Sequence, residues 1–216
     1  RLGEKLGANP YKFGLSAATD THTGLATSRE ENYFGKYRKT EPSAKRHEDE
    51  VIPADDPALR ILTSQELASG LTAVWAHENT RETIFEAMKR KEVYATTGTR
   101  IRVRVFGGWD FEEADVTRYN FVDQGYRRGV PMGGELLKAP KGKAPAFMIR
   151  ALRDPDGANL DRIQIIKGWL DSKGETHEKI YDVAVSDGRK IGKDGRCKTP
   201  VGSTVDIDKA TYSNTI

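Results

Sequence analysis

The hydrophobic pattern changes period twice between residues 70 and 106, and the resulting order of elements restricts the possible folds. Residues 70–76 are a short apolar run that predicts a strand, and residues 79–91 have the spacing of an amphipathic helix. Further strands are predicted at residues 93–97 and 100–106. This strand, helix, strand order is typical of an α/β layer.

The predicted helix has recognisable boundary signals. Asn79 and Glu82 have the spacing of a capping box, in which two side chains satisfy the first free N–H groups of a helix. We therefore expect the helix to begin beside Asn79 and to pack its apolar stripe on a sheet. The stripe consists of four side chains: Ile84, Phe85, Ala87 and Met88.

Arginine alternates with apolar residues in the strand predicted at residues 100–106. Because successive side chains of a strand point to opposite faces, this pattern predicts one buried face and one cationic face. We expect Arg102 and Arg104 to lie on the solvated face. Arg100 has two possible roles, as part of that face or as the group that holds a phosphate or carboxylate of a substrate.

Helical periodicity disappears after residues 107–108, and short alternating runs separated by Gly, Pro, Asp and Lys follow. Strands are predicted at residues 147–152, 160–170 and 179–185, with residues 171–174 as a hairpin turn. This spacing predicts a β-sandwich-like region. The fold class is therefore α/β plus β, with one domain at residues 1–106 and a β-rich domain at residues 107–216.

Three segments precede these elements. Residues 1–7 have the pattern of a last helical turn, and residues 11–19 that of a strand buried on both faces of a parallel sheet. Residues 28–57 form a long polar loop, which we interpret either as a lid over a pocket or as a disordered segment.

Composition excludes several classes of protein. With a mean hydropathy of -0.66, the chain has no apolar run near the roughly 20 residues of a membrane span. Its 35 basic and 32 acidic residues are interleaved, which argues against nucleic acid as a partner. The single Cys197 cannot form an internal disulfide. Because the chain begins with Arg1, we expect further sequence before it, and the cellular compartment stays open.

Asp20 and His22 are the strongest candidates for chemistry. Two residues apart on an extended backbone, their side chains point to the same side and could reach one metal ion. A carboxylate and an imidazole suit Zn, Mn or Fe. The alternative is a chance Asp-x-His, since the chain has four histidines and Asp is frequent, but the position directly after the apolar run at residues 13–18 favours a metal site.

A set of short motifs lies at residues 9–14, 19–25, 31–36, 70–76, 79–82, 94–101, 132–134 and 163–169. Together they resemble a bacterial family catalogued as a domain of unknown function and affiliated with the PHP (polymerase and histidinol phosphatase) metallohydrolases. The resemblance covers nearly the whole chain.

The resemblance implies an incomplete, seven-stranded β/α barrel that binds up to three divalent metals. The last ligand motif of such proteins is Asp-x-His at a strand end, which Asp20 and His22 match. Earlier ligands, including an opening His-x-His, would precede Arg1. We therefore expect the C-terminal portion of a distorted barrel followed by the β-sandwich-like region, and a metal site too incomplete for activity in this chain alone.

The resemblance also implies that the parent protein is a metal-dependent hydrolase that cleaves an ester or phosphoester bond of a small-molecule substrate. His77 and Glu78 could act as acid and base beside such a substrate, or they could lie in a solvent-exposed connection. The sequence contains no Gly-x-Ser-x-Gly elbow, Walker loop or Cys-x-x-Cys pair.

The competing hypothesis is a non-catalytic binding or structural module. In that case the β-rich half would contact a carbohydrate, a protein or a neighbouring domain through Trp109 and Trp169. Packing in the core is the alternative role of both tryptophans. The substrate and the oligomeric state stay open.

Overall fold

The computed structural model describes residues 2–9, 11–25, 33, 35–38, 41–206 and 208–212. Within them the helices are α1 (Leu2–Leu6), α2 (Arg81–Lys89) and α3 (Phe121–Arg128). The strands are β1 (Glu50–Ile52), β2 (Ile61–Leu62), β3 (Leu71–Val74), β4 (Val93–Thr96), β5 (Arg102–Gly108), β6 (Gly129–Pro131), β7 (Ala146–Leu152), β8 (Arg162–Leu170), β9 (Thr176–Val185), β10 (Val205–Asp206) and β11 (Thr211–Tyr212).

The described strands form small, mainly antiparallel sheets and no closed barrel. Four sheets are two-stranded, pairing β1 with β2, β3 with β4, β8 with β9 and β10 with β11, and the fifth has the order β6-β5-β7. The fold is β-rich, as predicted for the second half of the chain. None of the helices in the described part of the chain combines the length and apolar character that crossing a membrane requires.

The two strands on either side of α2 are not parallel, although a β/α barrel would require parallel strands. β3 and β4 run antiparallel, with Val74 opposite Val93 and Leu71 opposite Thr96. Residues 75–80 lead the chain away from β3, and α2 brings it back to the end where β3 finished. β4 therefore starts beside the last residue of β3 and runs in the opposite direction.

α2 lies within the predicted helix, but its N-terminal cap differs by one residue from the prediction. The cap is Thr80 rather than Asn79, because the Thr80 hydroxyl accepts the backbone N–H of Thr83 at 3.4 Å. The Thr83 hydroxyl in turn donates to the carbonyl of Glu78 at 2.6 Å. The two threonine side chains thus bond to backbone groups at the start of α2, a role that was predicted for the side chains of Asn79 and Glu82.

The strand predicted at residues 11–19 is absent. The Thr72 hydroxyl accepts the backbone N–H of Ala17 at 2.9 Å and donates to its carbonyl at 2.7 Å, so a side chain replaces a strand ladder there. Tyr11, Phe13 and Leu15 are each at least 60% exposed. The predicted burial on both faces is therefore wrong as well.

Part of the long loop predicted at residues 28–57 is packed. The Arg46 guanidinium pairs with the buried carboxylate of Glu41 and donates to the carbonyls of Thr63 and Glu66 at 3.1 and 2.8 Å. β1 closes this segment by pairing with β2. The first part of the loop falls largely outside the described residues, so the lid stays a prediction.

Arg104 is buried, which contradicts its predicted place on a solvated face. Its Nη2 lies 3.0 Å from Oε1 of Glu92 and 2.6 Å from the hydroxyl of Tyr126, which itself donates to Glu92. Its guanidinium also stacks 4.3 Å from the centre of the Trp75 ring. Glu92 is 2% exposed and supplies the counter-charge, while Arg102 is exposed as predicted.

An aromatic core lies beside this ion pair. Phe106 packs edge to face on Phe121 at 5.5 Å, and Met148 of β7 completes the buried cluster. Gly125 of α3 lies against the Phe106 ring so closely that an added Cβ would be 2.4 Å from it. A glycine inside a helix is usually unfavourable, and this close approach explains its presence.

The chain divides into two compact units, one formed by Arg1–Phe13 with Leu152–Ile216 and the other by Gly14–Ala151. The boundary predicted between residues 106 and 107 falls inside β5. In the first unit, β8 and β9 are joined by the predicted hairpin turn, where Gly174 donates to the carbonyl of Asp171 at 3.0 Å. Most side chains of this hairpin are exposed, whereas a sandwich would bury one face of each sheet.

We predict that Glu92→Leu lowers the free energy of unfolding by about 3–5 kcal/mol, because it leaves the Arg104 charge buried without a partner. The double variant Glu92→Leu with Arg104→Met should recover most of this loss, since no charge stays buried. Denaturant unfolding measures both. Glu86→Leu on the exposed side of α2 is the control, and a Glu92→Leu variant as stable as this control would contradict the prediction.

A second prediction concerns acid stability. Asp115 is 1% exposed and accepts the backbone N–H of Glu112 at 2.9 Å and Nη1 of Arg128 at 2.7 Å. The backbone hydrogen bond, together with Arg128, lowers the pKa of Asp115. The unfolded chain therefore binds this proton more readily, and stability should fall as the pH drops below about 4, where an unfolded Asp titrates.

Asp115→Asn removes this titration, so unfolding measured between about pH 5 and pH 2 should depend less on pH than in the unchanged chain. Asp123→Asn, on the exposed side of α3, is the matched control. Equal pH dependence in the two variants would show that Asp115 does not contribute.

Candidate metal-binding site

The backbone at Asp20 is not extended, although its side chain still meets His22. Asp20 has a φ of 57°, in the left-handed region that residues other than glycine rarely adopt. The following turn is held by the backbone N–H of His22, which donates to the carbonyl of Lys36 at 2.9 Å. Asp and Asn adopt this region more readily than other non-glycine residues, because their short polar side chains can form local hydrogen bonds.

The side chains of Asp20 and His22 converge. Oδ1 of Asp20 lies 3.2 Å from Nε2 of His22, and the two side chains are 58% and 51% exposed. Two donor atoms bound to one tetrahedral zinc ion at 2.0–2.2 Å would lie about 3.4 Å apart. The observed contact is a direct hydrogen-bonded pair, and its spacing is also compatible with two ligands of one ion.

Lys36 holds the other oxygen of the same carboxylate. Its Nζ lies 2.7 Å from Oδ2 of Asp20 and 3.9 Å from Oε1 of Glu66. The hydrogen bond between Lys36 and Asp20 lowers the pKa of Asp20 and raises the pKa of Lys36. Asp20 is thus ionised and Lys36 protonated near neutral pH, and Oδ1 remains directed toward His22.

Aromatic side chains complete the surroundings. The Tyr37 ring contacts the His22 ring edge to face at a centroid distance of 4.9 Å. Burial raises the pKa of Tyr33, whose ring lies 5.9 Å from the guanidinium of Arg46. The hydroxyls of Thr19 and Thr21 are 3.0 Å apart, on either side of Asp20.

The described residues do not form a complete metal site. In that part of the chain, no three His, Cys, Asp or Glu side chains come together in a group that could hold a metal ion. Glu66 and Asp20 both contact the Lys36 ammonium, which lies between the two carboxylates. Asp20 and His22 therefore offer one oxygen and one nitrogen donor, which is fewer than a metal site requires.

The other predicted site residues lie at opposite ends of β3 and β4. Gly70, which precedes β3, packs on the backbone of Ala18, and Arg100 follows β4 beyond Thr96 at this same end. His77 follows β3 at the other end, beside a cavity of about 410 Å³. The structure therefore separates His77 from the pair formed by Asp20 and His22.

Sequence reasoning did not assign a role to Lys36, although the residue ends one of the motifs that carry the family resemblance. Its position next to Tyr37 and close to Tyr33 could have indicated a role, because neighbouring aromatic rings partly bury a lysine side chain. Its partner could not be deduced, since 16 positions separate Lys36 from Asp20 in the sequence.

Comparison with known proteins identifies the family. No curated protein and no solved structure matches the chain. One family model, described as a protein of unknown function (DUF3604), matches residues 1–216. This match confirms the predicted domain of unknown function, and the chain belongs to the DUF3604 family.

Proposed function

We propose that this chain contributes two ligands to the divalent metal site of an enzyme that hydrolyses an ester or phosphoester bond of a small molecule. The observation that carries the proposal is that Oδ1 of Asp20 lies 3.2 Å from Nε2 of His22 while Lys36 holds the other oxygen of the same carboxylate at 2.7 Å. The resemblance to PHP metallohydrolases supports the reaction class.

Asp20 would bind the metal through Oδ1 and His22 through Nε2. An oxygen and a nitrogen ligand of this kind suit Zn, Mn or Fe. When bound, such an ion activates water and polarises the bond that is cleaved. The half-exposed position of both side chains leaves the donor atoms accessible.

Lys36 and Tyr37 orient these two ligands. The Lys36 ammonium fixes Oδ2 of Asp20, and the Lys36 carbonyl fixes the backbone of His22. The Tyr37 ring restricts rotation of the imidazole. Outer partners of this kind hold metal ligands in place, and their loss typically lowers metal affinity by about 10- to 100-fold.

The rest of the site is inferred from the resemblance. It implies that the remaining ligands include a His-x-His in sequence before Arg1, so two ligands alone should bind metal weakly. Arg100, at the end of β4 on the side of Ala18, would hold an anionic group of the substrate. His77 lies at the other end of β3, and this position does not support a role for it in the same site as Asp20 and His22.

We predict that the 216-residue chain binds less than one equivalent of zinc or manganese. Asp20→Asn and His22→Gln should each lower this binding further, because each removes one of two ligands. Metal analysis after dialysis and titration with Co²⁺ measure the effect.

The chain offers a matched control for this experiment. Nε2 of His47 lies 3.2 Å from Oε1 of Glu48, and both side chains are exposed. His47→Gln should leave metal binding unchanged, because among the described residues no lysine ammonium is bonded to the Glu48 carboxylate. Equal loss in His22→Gln and His47→Gln, or a tightly held stoichiometric ion in both variants, would contradict the proposal.

The reaction is tested in the protein in which this chain occurs. Asp20→Ala and His22→Ala should each abolish metal-dependent turnover of carboxylic ester or phosphoester substrates, because a metal site that loses one ligand no longer positions its water. Turnover equal to that of the unchanged protein would remove both residues from the mechanism.

A further inference from the structure

The hairpin formed by β8 and β9 presents one face whose composition differs sharply from that of the other. Lys167 lies directly opposite Lys179, Trp169 opposite His177 and Ile165 opposite Tyr181. These six side chains share a face, because they alternate along each strand and pair across it. We call them the lysine face.

Charge is segregated between the two faces. Gln164 and Asp182 are hydrogen-bonded at 2.6 Å on the opposite face, which also carries Glu178. The lysine face itself contains no acidic residue. At its end, Asp171 of the turn lies 3.0 Å from Nε2 of His177. A chain that is nearly neutral overall therefore has a local cationic surface.

The opposition of Lys167 and Lys179 has a cost. Like charges directly opposite in a β ladder destabilise it. No acidic side chain of the hairpin lies between the two lysines to offset this repulsion. A bound anionic group would relieve it.

The aromatic rings of the lysine face are in contact with the lysine ammonium groups, so they are not free stacking surfaces. Nζ of Lys167 lies 4.8 Å from the Trp169 ring centre, and Nζ of Lys179 lies 4.8 Å from that of Tyr181. The Trp169 ring also stacks on His177 at 5.3 Å with an angle of 22°. Nucleic acid bases bind by stacking on free ring faces, so this arrangement disfavours nucleic acid.

We propose that the lysine face binds an acidic polysaccharide, whose carboxylate or sulfate groups contact Lys167 and Lys179. The face is exposed and formed by side chains, so a chain with repeated anionic groups can lie across it and meet both ammonium groups. An acidic peptide would more readily add to a free strand edge, where main-chain hydrogen bonds supply its affinity. This proposal is independent of the metal site.

Affinity electrophoresis of the chain through gels containing polygalacturonate, with neutral dextran as the reference polymer, tests the proposal. We expect retardation by polygalacturonate at low salt, and an apparent dissociation constant at least roughly tenfold higher in Lys167→Gln with Lys179→Gln, which loses both ammonium contacts. The matched control is Lys173→Gln with Lys190→Gln, which changes the net charge equally but leaves the lysine face intact.

Each possible result decides the question. Retardation that only the Lys167 and Lys179 variant loses supports the proposal. Equal retardation of both double variants would show that net charge alone drives binding, and equal retardation by dextran would exclude charge recognition. Binding of oligo-dT that depends on the same two lysines, without binding of polygalacturonate, would replace the polysaccharide with nucleic acid.

Discussion

The buried ion pair of Glu92 and Arg104 is the interaction on which the unit formed by residues 14–151 depends. Glu92 follows α2, Arg104 lies in β5, and Tyr126 of α3 bonds to both. Removing two charges from water is expensive, and the stacking of Arg104 on Trp75 together with the Tyr126 hydroxyl offsets part of that cost. One pair of charges thus joins two helices and a strand.

A series of neighbouring contacts connects this pair to the candidate metal ligands. Glu92 directly precedes β4, and β4 sets the register of β3. Thr72 of β3 then binds both backbone groups of Ala17, three residues before Asp20. The segment before Asp20 and His22 is therefore held to β3 by side-chain hydrogen bonds rather than by a strand ladder, and both side chains are about half exposed.

Local signals in the sequence predicted the elements that depend on local contacts. The helix α2 and the hairpin of β8 and β9 are confirmed, because periodicity and turn residues are properties of neighbouring positions. The burial of Arg104 could not be predicted, since it depends on Glu92 and Tyr126, which are distant in sequence. The strand expected at residues 11–19 is absent, and there too a residue distant in sequence takes part, because Thr72 bonds to both backbone groups of Ala17.

The spacing of Asp20 and His22 predicted that their side chains meet, although the backbone that brings them together is left-handed rather than extended. The lysines show what spacing alone does not predict. Lys36 has a carboxylate partner at 2.7 Å, so its charge is used within the protein to orient Asp20. The ammonium groups of Lys167 and Lys179 instead lie over aromatic rings, which are weaker partners than a carboxylate and leave N–H groups for an external anion. The partner of each lysine ammonium therefore distinguishes the two cases. Lys36 is bonded to a carboxylate within its own unit, whereas Lys167 and Lys179 contact aromatic rings and can still donate to an external anion.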